Sequence, residues 1–216
     1  MSEREFLFRQ WQYLLAGYTL SSDLKKAGES HFFDLWQAHN MPTRFYHNAT
    51  HLVHLFSLLG EFEACFTLPR IMAWAVFFHD SVYDTRQSDN EQKSADYARR
   101  VMQELGCLQA EADRVYELIL ATQNHCTACT LPEFHYFLDA DLSILGSLPD
   151  VYNQYSRAIR QEYAWVPDEL YCVGRQKVLQ NLLDKSSLYF TKPMQQRYEH
   201  QARQNIASEI DFLDKK

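Results

Sequence analysis

The chain has 216 residues with only six Gly and six Pro, a size and composition that predict one domain, 1–216, with a substantial buried core. Its formal net charge of −7 argues against a bulk polyanion such as nucleic acid as partner, but not against a small phosphate ester drawn to a local dication. The charged start, Met-Ser-Glu-Arg-Glu, lacks the apolar centre of a signal peptide, and no apolar run approaches the ~20 residues of a membrane helix. Five cysteines, an odd number without a framework, fit reduced thiols, so a cytoplasmic protein without membrane association is expected.

In chain order, Phe6, Trp11, Leu14 and Leu15 form the apolar stripe of a first helix. Asn48 is suited to cap a second, which runs through His51-Leu-Val-His54-Leu-Phe and ends near Gly60. The periodicity predicts further helices over residues 70–79, 91–105, 109–124, 148–164 and 168–188, the last entered at Pro167. A polar helix over 202–213 closes the chain. Tyr152, Tyr155, Tyr163, Tyr171 and Phe190 are expected chiefly in the core, with stacking against a bound ring as the alternative. No alternating β-branched run of useful length occurs. The predicted class is all-α, a helical bundle with its site between helices.

The chemistry concentrates in three places. His79-Asp80 follows eight consecutive apolar residues, 71–78, so two strongly hydrated side chains end a buried segment. Burying them unsatisfied is costly, and an imidazole beside a carboxylate suits Zn, Mn, Fe or Mg. The plain alternative is a helix end, with His79 in the last turn and Asp80 in the loop. Upstream, His47, His51 and His54 fall within eight residues of a chain that has nine histidines. The i, i+4 pair His47/His51 shares roughly one helix face, which His54 can join. Downstream, Asp139 and Asp141 interrupt an apolar stretch. On a helix they point to different faces, so only one readily joins a shared site, and the other caps or pairs.

In this order, His, His-Asp, Asp, the residues resemble the HD-domain superfamily of metal-dependent phosphohydrolases. Tyr46-His47-Asn48-x-x-His51 also resembles the corresponding segment of the cyclic nucleotide phosphodiesterases in that superfamily. Ala140-Asp141-Leu142-Ser143 is similar to their distal aspartate segment. Over most of its length the chain is similar to a family of small bacterial proteins described as predicted HD phosphohydrolases. That likeness takes in Phe78-His79-Asp80-x-Val82-Tyr83-Asp84, Asn90-Glu91-x-x-Ser94-Ala95, residues 138–146 and Gly174-Arg175.

The resemblance implies an HD-type helical domain in which His51, His79, Asp80 and Asp141 hold a divalent ion: Mn, Mg, Zn, Fe or Co. It puts His47 in the place of the general acid, and allows Asp80 to bridge two ions or orient water. It implies hydrolysis of a small phosphomonoester or phosphodiester, a nucleotide among the options, and leaves the oligomeric state open. HD proteins with a histidine-built binuclear site carry two more histidines between the His-Asp pair and the last Asp. Residues 81–124 contain none, which leaves His125 and His135 and keeps the metal count open. His125 follows a helix end, where the dipole alone favours it; His135 follows a Pro in a predicted loop.

Asp84 and Glu91 flank a polar stretch and read either as supporting or second-metal residues, or as part of the capping of a helix started by Asp89 or Asn90. Arg44, Lys93, Arg160 and Arg175 are candidates for phosphate recognition. Cys126-Thr-Ala-Cys129 lacks the second pair that a structural zinc site needs. Two readings stand beside the hydrolase. One is a non-catalytic metal- or nucleotide-binding module in signalling. The other, disfavoured by the missing histidines, is a di-iron oxygenase of HD type.

Overall fold

A computed structural model describes residues 1–215, and the secondary structure among them is helical, with no strand. The all-α expectation holds. The chain divides into two compact units, Met1–Phe134 and residues 135 onward, the division falling inside one helix.

The first unit contains α1 (Glu3–Ala16), α2 (Ser22–His39), α3 (Ala49–Gly60), α4 (Pro69–Phe78), α5 (Asn90–Glu104) and α6 (Gln109–Ala121). Local chemistry starts four of them. Ser2 and Glu5 form a reciprocal capping box on α1, and Ser21 caps α2. Asn48 accepts from the Thr50 and His51 amides at the head of α3, and Pro69 opens α4. Helix α4 is apolar around its circumference: Ile71, Met72 and residues 74–78 are all buried, as befits a central helix.

Trp11 anchors α1 to this centre. Its ring is fully buried and meets Trp74 and Phe77 edge-on at centroid distances of 5.3 and 5.0 Å. Its Nε1 donates to the Gly28 carbonyl at 2.9 Å. A Cβ on Gly28 would come within 2.6 Å of Leu15 Cδ1, the movable end of a side chain on α1. Trp11→Ala is expected to destabilise the protein by about 3–5 kcal/mol, read as a lowered denaturant midpoint. A loss near the ±0.5 kcal/mol of a surface substitution would show that α1 is not part of the core.

Helix α2 is absent from the sequence-based expectation. Its apolar stripe of Phe32 and Leu35 is interrupted by the interior Gly28 and closed by a buried histidine, His39, rather than an aliphatic residue.

Helix α7 (Pro132–Asp141), in which the division falls, leads into a 3-10 turn, Leu142–Gly146. Then come α8 (Pro149–Glu162), α9 (Asp168–Leu183) and the short α10 (Lys192–Met194), which passes through a π-helical turn, Gln195–Glu199, into α11 (His200–Leu213). Within the second unit, α11 packs on α9 and on the 3-10 turn. A Cβ on Gly146 would lie 2.7 Å from the Tyr198 carbonyl oxygen, so only glycine permits that approach. Asn205 Nδ2 donates to the Leu145 and Ser147 carbonyls, both at 2.8 Å.

Most predicted helix ends fall within two residues of those observed, and two C-terminal ends shift further. Residues 109–124 end as helix at Ala121, and residues 168–188 end at Leu183. Beyond the end of the second, Ser187 Oγ donates to the Tyr189 carbonyl and Glu199 accepts from the Leu188 amide, so these residues are held outside the helix. Tyr152 and Tyr171 are buried as expected of core rings, while Tyr155, Tyr163 and Phe190 are half-buried.

Candidate metal centre

His51 sits in the first turn of α3, held there by the Asn48 cap, and His79 is the C-cap of α4, its amide donating to the Ala75 carbonyl at 2.9 Å. Both are buried, and their Nε2 atoms face each other at 3.2 Å. His79 Nδ1 lies 3.2 Å from the Val76 carbonyl oxygen. A carbonyl only accepts, so Nδ1 carries the proton and Nε2 presents a lone pair. Asp80 Oδ2 is also 3.2 Å from that Nε2. A lone pair turned to a carboxylate and a second imidazole is repulsive unless a cation or proton lies among them.

The spacing fits a metal. Two nitrogens about 2.1 Å from one ion, at ordinary tetrahedral or octahedral angles, are separated by about 3.0–3.4 Å. His51, His79 and Asp141 each offer one ligand atom, and these atoms all lie within 4.8 Å of one another, a group able to hold a metal ion. Asp141, the last residue of α7, is half-buried. No family model, curated protein or solved structure matches the chain. The centre is therefore read from its own chemistry. Two imidazoles and a carboxylate suit Zn, Fe, Mn or Co.

The choice between the two downstream aspartates is clear. Asp139 is fully buried and accepts from the Phe190 amide at 2.6 Å, the Thr191 amide at 2.8 Å and Thr191 Oγ1 at 2.8 Å. Burial pushes its pKa up, while those three hydrogen bonds pull it down. Asp139 thus serves the fold of the second unit, and Asp141 belongs to the metal-capable group.

The other expected site residues fall in several places. Asp80 lies beside His79 but outside the group of mutually close ligand atoms. The His47 ring centroid is 6.1 Å from that of His51 and 4.4 Å from that of Tyr83. His54 is exposed and does not share the face of His51. His125 occupies a left-handed turn at φ 48°. His135 corrects the sequence reading: it lies in α7 rather than a loop, stacked on Phe190 at 4.9 Å. Neither His125 nor His135 joins a group of three or more ligands among the described residues.

Asp84 organises its loop, accepting the Arg86 amide at 2.9 Å, while Asn90 brackets the Asp84 backbone through both its amide and its carbonyl. Glu91 lies in the first turn of α5, and the Asp89 side chain makes no capping bond there. Asp89 instead pairs with Lys93 at 2.7 Å. The other phosphate candidates are also engaged. Arg160 pairs with Asp168 at 2.6 Å and donates to the Tyr163 and Val166 carbonyls. Arg175 is buried against Glu209 at 2.9 Å. Burial alone would disfavour the Glu209 carboxylate, but Arg175, Tyr152 and Ser156 hold its pKa below the usual range. Arg44 donates to three backbone carbonyls.

Two further residues lie near the centre: His39, which carried no sequence signal, and Tyr83, which the sequence reading placed only within the string that follows His79. His39 is buried, its Nδ1 donating to the Leu35 carbonyl at 3.0 Å. Burial, reinforced by the charge of Arg44, lowers its pKa to about 3, so it is neutral at ordinary pH. Tyr83 packs against His47 at a tilt and lies under the Arg44 guanidinium at 5.3 Å. Elsewhere in the first unit a cavity of about 510 Å³ opens among Leu14, Phe56, Leu59, Phe66, Met72 and Val76. Its one cation, Arg70, is taken up by Glu111 and the Gly17 carbonyl, so it is poorly suited to phosphate.

Proposed function

We propose that the protein is a metal-dependent phosphohydrolase acting on a small phosphomonoester or phosphodiester, with nucleotides among the candidate substrates. The carrying observation is the pair of buried Nε2 atoms at 3.2 Å, one with its proton committed to Val76, grouped with Asp141. The resemblance of the ordered His, His-Asp, Asp residues to the HD-domain superfamily supports the same reading. In it, His51, His79 and Asp141 would hold the ion, and Asp80, beside His79, would complete the shell or orient water. A bound divalent ion supplies Lewis acidity and makes water a competent nucleophile near neutral pH. His47 donates a proton to the departing alkoxide. Lys93, Arg160 and Arg175 are engaged with acidic partners, so phosphate charge at the centre would have to be met chiefly by a bound ion.

The test is metal loading followed by turnover. The protein supplied with Mn²⁺, Co²⁺, Mg²⁺, Zn²⁺ or Fe²⁺ should release phosphate or nitrophenol from nitrophenyl mono- and diesters and from a nucleotide panel. Asp80→Ala should lose this activity. Stoichiometric metal with no turnover on any ester would move the reading to a non-catalytic binding module. Dioxygen consumption by the iron form would move it to an oxygenase.

A further inference from the structure

Arg44 is almost fully buried, and its guanidinium donates to carbonyl oxygens from two separate segments. One nitrogen, Nη1, reaches both the His47 oxygen at 3.0 Å and the Asp80 oxygen at 2.6 Å, while Nη2 reaches the Ser81 oxygen at 3.3 Å. The first belongs to the lead-in of α3, which ends in the Asn48 cap and His51. The other two belong to the turn that follows His79 at the end of α4. Three carbonyl dipoles converging on one point repel each other unless a cation stands between them. Helix α4 has no basic residue in its own last turn, so Arg44 also supplies the positive charge its C-terminal dipole favours. Below the guanidinium lies the Tyr83 ring, which packs on His47 at 4.4 Å.

We propose that Arg44 is the positioning residue of the centre: it ties the backbone that carries His47 and His51 to the backbone that carries His79 and Asp80, and so sets metal affinity. This rests on the metal-centre part of the proposed function and not on hydrolysis. The fork is essential to the role. A lysine ammonium is a compact charge on a flexible stem and cannot hold three carbonyls from two segments in one plane. A supporting contact of this kind, one step removed from the ligands, is typically worth about 10- to 100-fold in metal affinity.

Chelator competition with Zn²⁺ and Co²⁺ on the full chain tests this, with far-UV circular dichroism as the control for folding. Arg44→Lys and Arg44→Ala should each weaken both ions by about 10- to 100-fold while the helical spectrum is retained. Methylguanidinium added to Arg44→Ala should recover part of the affinity, which a residue that merely fills space would not allow. Folded variants with wild-type affinity overturn the proposal, and so does failure of both variants to fold, which would make Arg44 a general scaffold residue. A wild-type protein that binds metal tightly but hydrolyses no ester removes the phosphohydrolase reading and leaves the Arg44 proposal standing. A wild-type protein that binds neither ion removes both.

Discussion

His79→Ala is expected to abolish metal binding and with it turnover, by about 10³-fold or more. The reasoning begins with the tautomer. Val76 accepts the Nδ1 proton, so the Nε2 lone pair is already aimed at the point shared with His51 and Asp80. Alanine removes that donor and takes one of the three members from the metal-capable group, leaving a single imidazole with carboxylates, a set too weak to hold a divalent ion at micromolar supply. An ion of this kind is worth several kcal/mol at the transition state, and each 1.36 kcal/mol is a factor of ten in rate. Metal content by plasma emission and rate on a nitrophenyl ester are the measurements. Two controls sharpen them. His54→Ala, on an exposed face of the same helix, should bind metal as the parent does. Asp139→Ala should retain metal but unfold more easily, because it strands the Phe190 and Thr191 donors. Retained metal and rate in His79→Ala would dismiss the centre as drawn.

The second large effect concerns His47. In the proposed mechanism it protonates the leaving group, so His47→Asn should keep the metal and slow turnover by about 10²- to 10⁴-fold for esters with poor leaving groups. Nitrophenyl esters, whose leaving group needs little protonation, should be slowed far less. The geometry suits a group beside the ion rather than on it: the ring is 6.1 Å from His51, outside the ligand group, and backed by Tyr83. Its carbonyl is fixed by Arg44, so the main chain at this position is anchored independently of the ring. The measurement is the slope of rate against leaving-group pKa, parent against variant. Equal losses for good and poor leaving groups at unchanged metal content would take His47 out of the mechanism.

Sequence by itself determined those features that depend on one segment and its immediate neighbours. The apolar run 71–78 reads as a buried helix because no polar residue interrupts it, and α4 is buried all round. Asn48 reads as a cap because its short carboxamide reaches the amides two and three residues on, and it does so. The spacing of Asp139 and Asp141 on a helix requires different faces, and the structure gives one to Phe190 and Thr191 and the other to the metal-capable group. Tertiary structure alone decided the rest. Arg175 is a solvated cation or a buried one depending on Glu209, 34 residues away, which no local pattern announces. His125 and His135 are histidines of the right number in the wrong places, one in a left-handed turn and one flat against Phe190. Helix α2 carries no continuous apolar stripe, because its core-facing positions include a glycine, Gly28, and a neutral buried imidazole, His39. The role of Arg44 leaves no mark in the sequence, since the three atoms it binds are backbone oxygens, and every residue in the chain has one of those.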